Sequence, residues 1–378
     1  MTSVVFRKAL LVLLVAWFCI RLYVENYDRL NRQKCRFRPD ADVKLMVFGD
    51  PQIPGSRNVS LRKRLDVFGN DHYLGHVYKV LRSHANPNQV AVMGDLLSSQ
   101  WIDDEEFYSR VDRYSNRIFP HSNDIELFNV SGNHDVGYSG EMTVERISRY
   151  EHAFGKVNFV RDFGDWRIVC INSLSLDGPQ YDTQFNKQTL EFLDQLSPSE
   201  NPTVLLTHVP LHKESGVCSD GPLFRYYEWG TLKEQNHLSE EVSNRVLNAV
   251  FPPGSGGGVV VAGHDHEGCQ ASYVRTSDKE WAAKVFDATE QGAIQEYTVR
   301  SMMGAYGGNG GLLEGTRTAD GSWSFEFKLC PFAVQHIWWV SKVLDVMVHS
   351  FLALYTIVRI TELVRHRPRP RAKIEKAD

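Results

Sequence analysis

The chain has 378 residues, 42% of them hydrophobic and 23% charged, with a formal net charge of -4. That is long and apolar enough for one large buried core, and neither the net charge nor any central basic run suits a nucleic-acid binder. Six cysteines, at positions 19, 35, 170, 218, 269 and 330, include no CxxC pair, which argues against a zinc knuckle or a thioredoxin-like site and leaves room for one or two bridges at most.

At the start, Arg7 and Lys8 precede an uncharged run over residues 9–20, followed by Arg21. The segment Trp17-Phe18-Cys19-Ile20 lacks the small residues a cleavage site needs, so residues 1–25 read as an uncleaved membrane anchor, with Arg21 reaching to the interface. Twelve uncharged residues fall short of the about 20 that span a bilayer, so a buried core helix is the alternative.

From residue 42 to residue 330, strand-like and helix-like segments alternate. Apolar runs at 44–48, 89–93, 125–130, 203–206 and 259–262 predict buried strands, with helices expected around 73–84, 103–118, 143–154, 184–196 and 240–249. That is the pattern of an α/β protein. Each strand stops and then presents a polar residue: Gly49-Asp50, Gly94-Asp95, Gly132-Asn133-His134-Asp135, Thr207-His208, and Gly263-His264-Asp265-His266. Ligands of open α/β sheets bind beyond the carboxyl ends of strands, so five segments deliver metal-type side chains to one edge. A single Asp or His after a strand is usually a cap or turn residue; the ordered set is not explained that way. Carboxylate, amide and imidazole together suit Mn, Fe or Zn better than Ca, which takes oxygen alone.

At the end, residues 331–360 are apolar but interrupted by Lys342, Asp345 and His349, of which Lys342 and Asp345 are spaced to pair on one helix face. A membrane helix over 331–362 is expected, then a basic tail over 363–378 carrying Arg365, Arg367, Arg369, Arg371, Lys373 and Lys376, which favours the cytosolic side. An amphipathic helix lying on the membrane is the rival. Arg29, Arg32, Lys34, Arg36 and Arg38 follow the first segment too, so its own charges leave orientation open. Two spans would put both tails in the cytosol and residues from about 26 to 330, with the central domain over 42–330, on the lumenal side.

The motif series resembles the calcineurin-like metallophosphoesterases, and the likeness covers about residues 44–330. The resemblance implies a two-sheet αββα sandwich around two divalent metal ions. Carried over, Asp95 would bridge both ions, Asp50 and His266 would serve the first, and Asn133, His208 and His264 the second. His134 would contact the phosphate and protonate the leaving oxygen, with Asp135 orienting its ring. The family commonly has Asp-x-His after the first strand, whereas Asp50-Pro51-Gln52 stands here. Gln52 offers a harder, neutral amide oxygen, which favours Mn over Zn. The same Asp-Pro-Gln occurs in a subgroup this chain is similar to, the fungal endoplasmic-reticulum phosphoesterases that remodel GPI anchors. Further matching segments are Thr207-His-Val-Pro-Leu211, Gly263-His-Asp-His-Glu-Gly-Cys269, Val299-Arg-Ser-Met-Met303 and Cys330-Pro-Phe-Ala-Val-Gln-His-Ile-Trp-Trp339.

That resemblance implies removal of ethanolamine phosphate from a mannose of the GPI glycan, with GPI-anchored proteins or the GPI glycolipid as substrate, in the endoplasmic reticulum or the Golgi. In a lumenal domain, Cys218 and Cys269 are expected to form a disulfide, two buried thiols being the alternative. Asn58-Val-Ser60 is a glycosylation sequon in a polar loop. Asn129-Val-Ser131 is also a sequon but ends a buried strand, so it is expected bare. Two rival functions stay open: a phosphatase or pyrophosphatase for another phosphoester, and a non-catalytic factor that exports GPI-anchored cargo.

Overall fold

Strand β1 (Val43–Phe48) opens the central domain because its side chains alternate between two buried faces. Val43, Leu45 and Val47 point into the space between two sheets, whereas Phe48 turns outward to meet Tyr78, ring centroids 5.9 Å apart. The computed structural model describes residues 2–27, 35–319 and 321–365. The lysines and arginines of the expected tail beyond Arg365 lie outside the described residues, as do Arg29, Arg32 and Lys34.

The first sheet runs β14-β13-β1-β2-β3, with β2 Gln89–Val92, β3 Glu126–Asn129, β13 Asn309–Arg317 and β14 Trp323–Pro331. Strands β1, β2 and β3 are parallel, while β13 and β14 are antiparallel additions. The second sheet runs β11-β10-β12-β9-β6-β5-β4. Its parallel centre is β5 (Arg167–Cys170), β6 (Thr203–Thr207), β9 (Gly258–Ala262) and β12 (Ile294–Thr298). Antiparallel β4 (Phe159–Asp162), β10 (Cys269–Arg275) and β11 (Trp281–Val285) close the edges. The sheets bury one shared core: Val43, Leu45, Ala91, Met93 and Phe128 face Ile168, Val204, Leu206, Val259 and Val261. The fold is thus α/β, two mixed sheets flanked by helices.

The helices are α2 (Leu61–Ala85), α3 (Asp104–Arg113), the single turn α4 (Asn133–Val136), α5 (Val144–Phe154), α6 (Thr183–Asp194) and α7 (Glu240–Val250). Helix α2 starts three turns earlier than its apolar periodicity implies. Ser60 caps it by accepting from the Lys63 amide at 3.3 Å, and the first turns leave Leu61, Leu65 and Phe68 exposed, so no buried stripe marked them. The expected helix over 103–118 ends at Arg113 and widens into a π turn over Tyr114–Ile118. Strands β10 to β14 and a small hairpin, β7 (Phe224–Tyr226) with β8 (Leu232–Gln235), carry too many polar residues to stand out as apolar runs.

Two disulfides fasten this unit. Cys218–Cys269 ties the loop after β6 to the first residue of β10, and Cys35–Cys330 ties the segment before β1 to the end of β14. The first pairing agrees with the expectation; the second joins two cysteines that lie 295 residues apart in sequence. Cys19 and Cys170 are free thiols.

The chain divides into two units, Tyr27–Gln335 and the pair of ends Met1–Asn26 with His336–Asp378. In the second unit α1 covers Thr2–Glu25 and α8 covers Gln335–Arg365. Helix α8 is long and apolar enough to cross a membrane. Its Lys342 Nζ lies 3.6 Å from Asp345 Oδ2, the pairing its spacing implies. Asp345 Oδ1 also accepts from Trp17 Nε1 at 2.5 Å and lies 3.4 Å from Arg21 Nη1. Asp345 thus has two cationic partners, Lys342 and the half-exposed Arg21.

Candidate metal centre

The loops beyond β1, β2, β6 and β9 and the turn α4 meet at one edge between the sheets. Asp50, Gln52, Asp95 and His264 all have positive φ, at 45°, 41°, 49° and 71°. Residues other than glycine rarely adopt this region, and such strain concentrates at functional sites. Backbone bonds hold two of these turns together: Gln52 N donates to Asp95 O at 2.8 Å and Ile53 N to Leu96 O at 3.1 Å. Gly132 is required by space, since a Cβ there would lie 2.0 Å from the Asp95 amide nitrogen.

Two groups of side chains present ligand atoms within 4.8 Å of one another: Asp95 with His208 and His264, and Asp50 with Asp95 and His266. Asp95 belongs to both. His208 Nε2 lies 3.4 Å from Asp95 Oδ1 and 3.1 Å from Asn133 Oδ1, which brings Asn133 into the first group. His266 Nε2 lies 4.0 Å from Asp50 Oδ1. Gln52 Nε2 lies 3.1 Å from Asp95 Oδ2 and 3.2 Å from His266 Nε2, so this amide sits in the second group. Half a turn about its last torsion brings Oε1 to the same place. His134 stands at the open side, its ring 38% exposed and its Nε2 3.8 Å from Asp95 Oδ2, while its amide donates to Asp95 Oδ1 at 2.8 Å.

Each buried imidazole is aimed by its far nitrogen. His208 Nδ1 faces Met93 O at 2.7 Å, leaving Nε2 for the cluster. His264 Nε2 faces Gln235 O at 2.9 Å, with the Tyr138 hydroxyl 3.4 Å away, leaving Nδ1 for the cluster. Partners of this kind fix tautomer and orientation in metal-binding histidines. Tyr138 and Gln235 gave no signal in the sequence, because a tyrosine in a loop and a backbone carbonyl in a hairpin acquire this role only through folding.

Asp135 does something other than expected. Its carboxylate accepts from the backbone amides of Gly132 at 2.8 Å, Leu97 at 2.9 Å and Leu96 at 3.2 Å. It therefore knits α4 to the loop after β2 and does not steer the His134 ring.

The charge balance fits a pair of cations. Burial and the neighbouring Asp95 charge push the Asp50 carboxyl well above the usual range. Burial pulls Asp95 upward too, but His208, His134 and His264 outweigh it and hold this carboxyl low. Burial lowers His208 and His266 and takes His264 down to about 3, so all three present lone pairs. Two buried carboxyl groups share this pocket with the imidazoles of His208, His264 and His266, and among the described residues no Lys or Arg pairs with either carboxyl. Divalent cations meet that deficit, and the mixed oxygen and nitrogen donors suit a transition ion.

A two-sheet sandwich with such a cluster at its strand ends defines a metal-dependent phosphoesterase. Residues 43–268 match the family described as calcineurin-like phosphoesterase, and the chain belongs to it: it is an enzyme that hydrolyses phosphoesters with two divalent metal ions. Among its relatives, Protein TED1 of Saccharomyces cerevisiae is 38% identical over 80% of this chain and 81% of that one. Uncharacterized protein C23A1.02c of Schizosaccharomyces pombe is 31% identical over 76% of this chain and 73% of its own length. Metallophosphoesterase 1 of Mus musculus is 27% identical over 62% of each chain.

Proposed function

We propose that this enzyme is a phosphodiesterase that removes ethanolamine phosphate from a mannose of the GPI glycan, in the lumen of the endoplasmic reticulum, and so supports export of GPI-anchored proteins. The observation that carries the reading is the Asp50-Pro51-Gln52 turn, whose amide reaches into the cluster 3.1 Å from Asp95; the same Asp-Pro-Gln occurs in the GPI-remodelling subgroup this chain resembles. Two disulfides favour an oxidising compartment. The apolar helix α8 favours a substrate held at a membrane, and α1 is read as its partner span.

Asp50, Gln52 and His266 would hold one ion, Asn133, His208 and His264 the other, with Asp95 between them; manganese suits the added amide oxygen. When bound, the two ions neutralise charge on the phosphate oxygens and lower the pKa of an attacking water. His134, on the open side, donates a proton to the departing mannose oxygen, which is a poor leaving group without it. The strained turns hold Asp50, Gln52, Asp95 and His264 in place before substrate arrives, so binding does not spend energy on ordering them.

The test is mass spectrometry of GPI glycans from cells lacking this protein, rescued by the wild type or by Asp95→Asn. Glycans should retain an additional ethanolamine phosphate, reversed by the wild type alone. Unchanged glycans would point to another phosphoester substrate, and rescue by Asp95→Asn would point to a non-catalytic export role.

A further inference from the structure

From His134 the chain runs through Tyr138, whose hydroxyl lies 3.4 Å from His264 Nε2, to Gly140 and Glu141. The β7–β8 hairpin presses on this segment: the Thr231 hydroxyl donates to Gly140 O at 3.4 Å, and a Cβ on Gly140 would lie 2.0 Å from Leu232 O. Buried Glu141 is a hub. Gln100 Nε2 donates to its Oε2 at 2.6 Å, the Tyr227 hydroxyl donates to its Oε1, and Arg146 Nη1 donates to its backbone oxygen at 2.6 Å. Around this hub the structure holds large rings open to solvent. Trp101, next to Gln100, is 64% exposed although Arg146 lies 4.0 Å above its ring. Trp229 is 69% exposed although it stacks on Tyr227 with centroids 4.4 Å apart and planes 7° apart, and its Nε1 donates to Thr231 Oγ1 at 2.8 Å. Tyr181, 67% exposed, is tied in by its amide to Ser139 O at 2.9 Å.

We propose that Trp101 and the Tyr227–Trp229 stack form a sugar-binding subsite contiguous with the metal centre, seating the pyranose rings that flank the phosphoester. The inference deepens the glycan reading above and rests on it for the identity of the sugar. A pyranose has an apolar face of C–H bonds and a rim of hydroxyls. Flat exposed rings take the face, and the amphipathic rims of Trp and Tyr tolerate the neighbouring water and hydroxyls. Exposed aromatics clustered beside a catalytic edge mark recognition, not ordinary surface. Their partners on the inner side hold them fixed, so little side-chain entropy is lost when a sugar stacks.

The experiment uses the full-length protein in detergent, titrated with a mannose oligosaccharide that carries no phosphate and followed by saturation-transfer NMR. Wild type should bind, Trp101→Ala and Trp229→Ala should each weaken binding about tenfold, or about 1.4 kcal/mol, and Trp229→Phe should keep most of it. On esters, the ratio of kcat/KM for a phosphoethanolamine mannoside to that for a small aryl diester should fall about tenfold in both alanine variants, through KM. An oligosaccharide that does not bind wild type overturns the subsite, as does an unchanged ratio or an equal loss on both esters. If wild type leaves the mannoside intact, the proposed substrate is wrong, and the unphosphorylated oligosaccharide still decides the subsite.

Discussion

The Gln52 amide lies 3.2 Å from His266 Nε2, among the candidate ligands. Imidazole is a softer donor than an amide oxygen and binds zinc well. Gln52→His should therefore retain phosphodiesterase activity while shifting metal preference from manganese toward zinc, measured as activity against each ion after chelation and reloading. An unchanged preference would place Gln52 outside the ligand set. His134 gives a sharper test. Its ring is not held by Asp135, and it is partly open to solvent beside the cluster. His134→Ala should keep both metals yet lose about 10²–10⁴-fold on an alkyl diester, the range of general acid catalysis, and lose much less on a nitrophenyl ester, whose leaving group needs no proton. Metal analysis with both substrates checks this; equal losses together with lost metal would make His134 a support of the site.

Among the elements, the turn after β1 depends on α2 and α3. Arg113 Nη1 lies 3.0 Å from both oxygens of Asp71, both side chains are buried, and Arg113 Nη2 donates to Pro54 O at 2.5 Å. Arg110 reinforces the turn, its Nη1 donating to Ile53 O at 3.2 Å. Burial raises the Asp71 carboxyl by more than Arg113 lowers it, so the pair positions the turn more than it stabilises the fold. Arg113→Met should cost about 3 kcal/mol by leaving buried Asp71 with only the longer 3.4 Å contact to Arg117 Nη1, and it should weaken metal binding. Arg113→Met with Asp71→Leu should recover most of the stability and not the metal affinity, because Pro54 O still lacks its donor. Thermal unfolding and metal titration of the same variants separate the two effects; recovery of both would show that the turn holds itself. The strands before Asp50, Asp95, His208 and His264 were legible because each is a buried apolar run that stops at a polar residue, and edge strand β3 because Leu127, Phe128 and Val130 lead into Gly132-Asn133. The exposed first turns of α2, the hairpin and strands β10 to β14 were not, because exposed or polar side chains interrupt their apolar pattern.

At the scale of the whole molecule, the two glycosylation sequons differ in exposure. Asn58 is exposed ahead of α2, whereas Asn129 accepts a hydrogen bond from the Tyr114 hydroxyl at the end of β3. A lumenal domain should carry a glycan at Asn58 alone, so glycosidase should shift its mobility and Asn58→Gln should abolish the shift; protease that destroys the domain in intact microsomes would refute the topology. Cys35–Cys330 closes nearly the full central domain, with a sequence separation of 295. Cys35→Ser should lower stability by about 2–4 kcal/mol, with chain-entropy loss in the unfolded state as the larger cause, read by thermal unfolding with and without reductant.

The sequence by itself determined the α/β class, the edge at which chemistry-bearing residues gather and the list of donors, because strand periodicity and the residues that end strands are local properties. Only the tertiary structure decided how Asp95 is shared by two clusters, which nitrogen each histidine offers, that Asp135 serves the backbone and that Cys35 meets Cys330. Those depend on which surfaces two sheets bring within a few ångströms of each other, and no local pattern encodes that.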